Sequence, residues 1–138
     1  MIANYEGKLA EWARHKLGMA YEWGKTDCGT LVREGLFLIL DRDPFPYMPG
    51  WNSEGESRKI WDEMGGVDHA FLAFGAEKIE SSYAQTGDIA VLEVDKFLTA
   101  AMAIGDNKLL FASTDKGIFT RNITPALLKL NIRFYRFK

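Results

Sequence analysis

Apolar positions recur at helical spacing in the first half of the chain and at period two in the second. From Tyr5 to Leu17, Leu9, Trp12, Ala13 and Leu17 share one side, with Lys8, Glu11, Arg14 and Lys16 between them. This pattern predicts an amphipathic helix, stopped by Gly18. A second helix is predicted from Cys28 to Leu40. Its Leu31, Val32, Leu36, Phe37, Ile39 and Leu40 are apolar on more than one face, which places it centrally in the core. Gly35 inside it costs about 1 kcal/mol against alanine and so implies close approach of another element. Asp41 to Asp43 close the helix. The stretch Pro44-Phe45-Pro46-Tyr47-Met48-Pro49-Gly50-Trp51 forbids regular structure and favours an extended, semi-rigid path. A surface loop wrapped on the core is the expected reading, with a binding lip as the alternative.

Ser53 and Glu56 fit a capping box for a short helix over Glu54 to Met64, stopped by Gly65-Gly66. Asp68 is placed to cap another, His69 to Phe74. Beyond Ala76 the period changes to that of strands. Glu77 to Ser81 is weak, Ile89 to Val94 clear, and Thr99 to Ile104 follows. A Gly105-Asp106-Asn107-Lys108 turn leads into Leu109 to Ser113, and Thr114 to Gly117 into Ile118 to Arg121, in the manner of hairpins. Thr124-Pro125 starts one helical turn, Ala126 to Leu130. Ile132 to Phe137 closes as a strand. Helices first and antiparallel strands second predict a single α+β domain over residues 1–138, its helices packed on one face of a meander.

Composition narrows the functional classes. The 138 residues are 47% hydrophobic and 26% charged, with net charge -2. That balance argues against nucleic acid and against an anionic membrane as partners. No apolar run approaches the ~20 residues of a membrane span. Met1 to Arg14 is amphipathic and acidic, unlike a signal peptide. A lone cysteine forms no internal disulfide, so nothing demands an oxidising compartment.

The candidate chemistry gathers at Tyr21-Glu22-Trp23-Gly24-Lys25-Thr26-Asp27-Cys28. Thr26 or Asp27 can cap the second helix through a side-chain oxygen. Cys28 then lies in the first turn, where the dipole and free N–H groups favour a thiolate, a common mounting for a cysteine nucleophile. The alternative is a small buried hydrophobe. His15 falls among charged neighbours on the first helix and reads as a surface residue. His69, the one histidine downstream of Cys28, is the obvious candidate base, although it lies in the helical half. The histidines and carboxylates show no metal-ligand spacing, and no glycine-rich phosphate loop follows a strand. No cofactor is expected.

These residues resemble a known superfamily. Tyr21-Glu22-Trp23-Gly24, Asp27-Cys28 and Leu31-Val32 resemble the nucleophile motif of NlpC-type papain-like peptidases, which cut peptide bonds in bacterial cell-wall peptidoglycan. Gly87-Asp88-Ile89-Ala90-Val91 resembles that family's Gly-Asp strand, and Ile104 to Ser113 its strand-turn-strand. The likeness extends over roughly Leu9 to Phe137. A phage-encoded, tail-associated branch is most similar, through Trp23 to Cys28, Asp43-Pro44, Gly65-Gly66 and Gly87-Asp88. The resemblance implies a papain-like fold, Cys28 as nucleophile and Tyr21, Trp23 and Asp27 as supporting residues.

The chain departs from the family at its bases. Alignment on Gly105 puts Thr99 where active members carry the catalytic histidine, and Phe111 where they carry the residue that orients it. Threonine does not titrate near neutral pH, and phenylalanine accepts no hydrogen bond from an imidazole. General acid–base catalysis, typically worth about 10²–10⁴-fold, is then missing. The resemblance with these losses implies a catalytically degenerate virion component at a phage tail tip, structural or assembly-related, made in the bacterial host cytoplasm. Its partners would be other tail or baseplate proteins, and peptidoglycan. An active cysteine peptidase aiding envelope penetration, and a plain globular binding module, are the other readings.

Overall fold

The core grows from the second helix, whose Leu31, Val32, Leu36 and Ile39 are buried on successive turns. The computed structural model describes residues 1–94 and 97–138. Its helices are α1 (Tyr5–Lys16), α2 (Cys28–Leu40), α3 (Glu54–Glu63) and α4 (Val67–Ala73). Strands β1 (Glu77–Ile79), β2 (Ile89–Val94), β3 (Phe97–Gly105), β4 (Lys108–Ser113) and β5 (Gly117–Asn122) follow, then α5 (Pro125–Leu128) and β6 (Arg133–Arg136). The strands form one antiparallel sheet in the order β1-β6-β2-β3-β4-β5. The meander is therefore interrupted. Chain passing through α5 returns β6 to the free edge of β2, between β2 and β1.

The sheet has two apolar faces. On the inner one, Ile89, Val91, Ala100, Met102, Tyr135 and Phe137 pack on the helices and on buried Phe45, Trp51, Trp61 and Phe71. Leu110, Ala112 and Ile118 extend this face against Leu31 and Ala13. On the outer face Ala90, Leu92, Ala101, Ala103, Leu109, Phe111 and Phe134 pack beneath Leu127 of α5. A methyl group at Gly35 would sit 2.7 Å from Met102 Sδ and 2.9 Å from Trp12. The missing side chain is what lets α2 approach β3 and α1.

Several expected boundaries shift, the single helical turn expected over Ala126 to Leu130 being Pro125–Leu128. The fourth helix starts at Val67 with Gly66 as its N-cap, and Asp68 lies inside the first turn. Its carboxylate is drawn off by Arg133, which donates at 2.9 and 2.6 Å, and by the Tyr135 hydroxyl. The weak strand is only Glu77–Ile79, followed by a 3-10 turn over Ser81–Tyr83. Leu17, expected on the buried stripe of α1, is 43% exposed because the helix ends at Lys16.

Charge pairs tie the elements together. Arg33 of α2 grips Asp43 at 3.0 and 2.7 Å and donates to the carbonyls of Phe45 and Met48. This holds the proline-rich loop with Phe45, Met48 and Trp51 inward and Tyr47 wholly exposed. Buried Asp88 receives Arg136 at 2.9 Å on both oxygens and the Gln85 N–H at 2.8 Å.

The Arg33 hydrogen bond holds the Asp43 carboxyl below its ordinary range. Burial raises that of Asp68, but Arg133 and Tyr135 overcome it and the net shift is downward. A lowered folded-state pKa gives stability that is full above the unfolded value, ~3.9, and lost as pH falls through the folded value. The urea midpoint should therefore hold from neutrality to about pH 4 and drop below it. Asp68→Asn should flatten that drop, and an unchanged acid profile in the variant would refute the role of the pair.

Candidate active site

Asp27 is the N-cap of α2, and its buried carboxylate organises everything around Cys28. Oδ1 accepts from the Thr30 N–H at 3.1 Å and from the Trp51 indole N–H at 3.0 Å. Oδ2 accepts from the Gly24 N–H and the Thr30 hydroxyl, both at 2.7 Å. Thr26, the other candidate cap, serves the preceding turn. Its hydroxyl donates to the Ala20 carbonyl and accepts from the Glu22 N–H, each at 2.7 Å.

The approach is close enough to exclude side chains at two glycines. A Cβ at Gly24, whose φ is +85°, would meet the Trp51 carbonyl oxygen at 2.4 Å, and one at Gly29 would meet the Trp51 ring at 2.7 Å. Trp51 is the site residue that the sequence pattern did not single out. Its signal, an indole at the end of a proline-rich loop, is no different from that of an ordinary core tryptophan.

Cys28 opens the helix. The residue is partly exposed while its thiol is enclosed. Thr99 faces the sulfur with its hydroxyl, and the N–H groups of Ala100 and Gly29 point at it. The Ala100 contact follows from a fork in the sheet. β3 pairs with β4 only from Met102 to Gly105. Ala103 gives its N–H and C=O to the β2 side, so by strand alternation Met102 and Ala100 direct theirs to the β4 side. Met102 finds Leu110 there, whereas Ala100 finds the sulfur.

Burial pushes the Cys28 thiol above its usual range. The donors from Ala100 and Thr99 lower it in part, and the neighbouring Asp27 charge raises it again. The thiolate expected from the helix terminus is thus outweighed by desolvation. Tyr21 accepts a hydrogen bond from the Cys28 N–H, and burial beside Cys28 and Asp27 pushes its phenol strongly upward. Trp23 meets the Tyr21 ring edge-on at 5.1 Å.

The remaining candidates lie elsewhere. Phe111 is on the outer face, stacked on Phe119 at 5.6 Å, with the Arg121 guanidinium 5.9 Å from its centroid. His69 is exposed, with Nδ1 2.9 Å from the Met64 carbonyl oxygen. His15 Nδ1 lies 2.9 Å from the Glu11 carbonyl oxygen, also exposed. Among the described residues no group of three or more His, Cys, Asp or Glu is placed to hold a metal. No described helix is long and apolar enough to cross a membrane.

A family model described as a domain of unknown function (DUF6950) matches residues 1–129. No curated protein matches the chain. Among solved structures, NlpC2 from Trichomonas vaginalis superposes with a TM-score of 0.58 at 17% identity, covering 99% of this chain and 47% of that one. This chain thus spans about half the length of that protein. The P60 domain of antigen MAP1204 from M. avium subspecies paratuberculosis superposes with a TM-score of 0.55 at 15% identity, covering 96% of each chain. At these identities the likeness concerns the fold. The chain has the α+β fold of NlpC/P60 domains.

Asp27→Ala should cost about 2–3 kcal/mol, combining a lost cap with unpaired buried donors, with Trp51 fluorescence altered in the native state. A loss under about 0.5 kcal/mol would show that the carboxylate organises nothing. Alkylation of Cys28 against pH should give a midpoint above the free thiol's, ~8.5, and Thr99→Val should raise it further by removing a donor. A raised pKa makes this group's stability contribution full below the free-thiol value and lost as pH climbs through the folded one. A midpoint below that of the free thiol would contradict this site description.

Proposed function

Because the chain belongs to the DUF6950 family and has the fold of NlpC/P60 domains, we propose that it is a catalytically degenerate papain-like domain serving a structural or assembly role in a phage tail tip. One observation carries the loss of catalysis. The Cys28 sulfur faces the Thr99 hydroxyl and two backbone N–H groups, none of which takes a proton near neutral pH. Acyl transfer from a peptide needs a base to remove the thiol proton and an acid to protonate the departing amine. Both histidines lie against backbone carbonyls of their own neighbourhood instead. The raised thiol pKa works in the same direction.

The tail-tip placement is supported by the motifs Trp23 to Cys28, Asp43-Pro44, Gly65-Gly66 and Gly87-Asp88. Its partners on this reading are other tail or baseplate proteins, and its location is the virion. A second reading, an active peptidoglycan peptidase, is favoured by the retained Cys28 at the first position of α2 with three donors aimed at its sulfur.

Purified peptidoglycan incubated with the protein should release no more peptide fragments than with Cys28→Ala. Release that depends on Cys28 would establish the peptidase instead. Immunoblots of purified phage particles and of tail-assembly intermediates should detect the protein in at least one. Its absence from both would eliminate the tail role.

A further inference from the structure

We propose that the outer face of β4, β5 and α5 docks an acidic segment of a partner protein. From Asn107 onward the chain carries Lys108, Lys116, Arg121, Lys129, Arg133, Arg136 and Lys138 against a single acidic residue, Asp115. The excess of carboxylates behind the net charge of -2 therefore lies entirely in the preceding residues. Three of these cations are already spent within the fold: Arg133 on Asp68, Arg136 on Asp88 and Lys138 on Glu77. Lys116, Arg121 and Lys129 are exposed and make no ion pair among the described residues.

Two of the three are held in place. Lys116 Nζ lies 5.2 Å from the centroid of Phe119, and the Arg121 guanidinium 5.9 Å from that of Phe111. The two rings are stacked on each other at 5.6 Å. Cation–π contact over a rigid stack reduces the side-chain entropy lost on binding, which is the usual weakness of surface lysines. Asp115 is occupied in part by the Ser113 hydroxyl at 2.9 Å. Lys129, at the C-cap of α5, is flanked by the exposed Leu128 and Leu130, at 39% and 44%.

Charge complementarity makes the occupant anionic, and the other features make it protein. Phe111 is buried, so its face is closed to the base stacking that single strands require. The exposed leucines suit an acidic segment that also carries apolar side chains. The face lies on the side of the sheet away from α2, so this inference stands whether or not Cys28 is catalytic.

The test is fluorescence anisotropy of the full chain with two probes of equal charge, a labelled oligoglutamate containing leucines and an oligothymidylate, at about 0.1 M salt. The peptide should bind, and bind more tightly than the oligothymidylate, with affinity falling as salt rises. Lys116→Glu with Arg121→Glu should weaken it at least about tenfold, or about 1.4 kcal/mol. Lys8→Glu with Arg14→Glu on α1 should leave it unchanged. If the reversed pair disturbs the sheet by circular dichroism, Lys116→Gln with Arg121→Gln should still weaken binding. Equal or tighter binding of the oligothymidylate, no binding of the peptide, or equal losses from the α1 pair would each overturn the proposal.

Discussion

One buried carboxylate, that of Asp27, joins three pieces of chain at the start of α2. A carboxylate removed from water is tolerable only when its lone pairs are filled, and here four donors fill them. Two come from the first turn of α2, one from the glycine turn before it and one from the far end of the proline-rich loop. The position of Trp51 is thereby set to the helix terminus, and the glycines at 24 and 29 are the positions where its backbone and ring come too near for a side chain. The same loop is gripped from the middle of α2 by Arg33. What the prolines make stiff, two side chains of a single helix hold in register.

This constraint delivers Cys28 to the fork between β3 and β4, where opposing effects act on its thiol. A helix N-terminus favours the anion by roughly 0.3–1 kcal/mol when exposed. Enclosing the sulfur opposes it, and Asp27, the residue that builds the turn, adds a negative neighbour. Desolvation wins. In a reactive arrangement an imidazole would reverse this balance by removing the proton. Thr99 instead supplies a hydroxyl that stabilises the sulfur without taking its proton. Cap, turn and fork together surround a thiol held above its usual pKa range.

The two sheet faces then divide the work. The inner face carries the helices and the site, secured by Asp68–Arg133 and the aromatic cluster around Phe45, Phe71 and Phe137. The outer face is covered in its middle by Leu127 of α5 and leaves the β4–β5 margin to a stacked phenylalanine pair under two cations. Phe111 illustrates the division. The resemblance would give it a place in the catalytic constellation, while its packing buries it in the outer-face cluster.

Periodicity alone determined the helices, the late strands, the α+β class and the placement of Cys28 in a first turn, because these depend on local spacing of apolar residues and on a short-range cap. Gly35 likewise announced a close approach through its local cost. Four things needed the tertiary structure. The return of β6 to β2 depends on which strand edge is left free, and the hydrogen bond from Trp51 to Asp27 spans 24 positions. Asp68 leaves its capping role for Arg133, 65 residues away. The thiol's protonation depends on how much water the surrounding elements exclude. Long-range pairing and desolvation are properties of neighbours in space, and no local pattern of residue types encodes them.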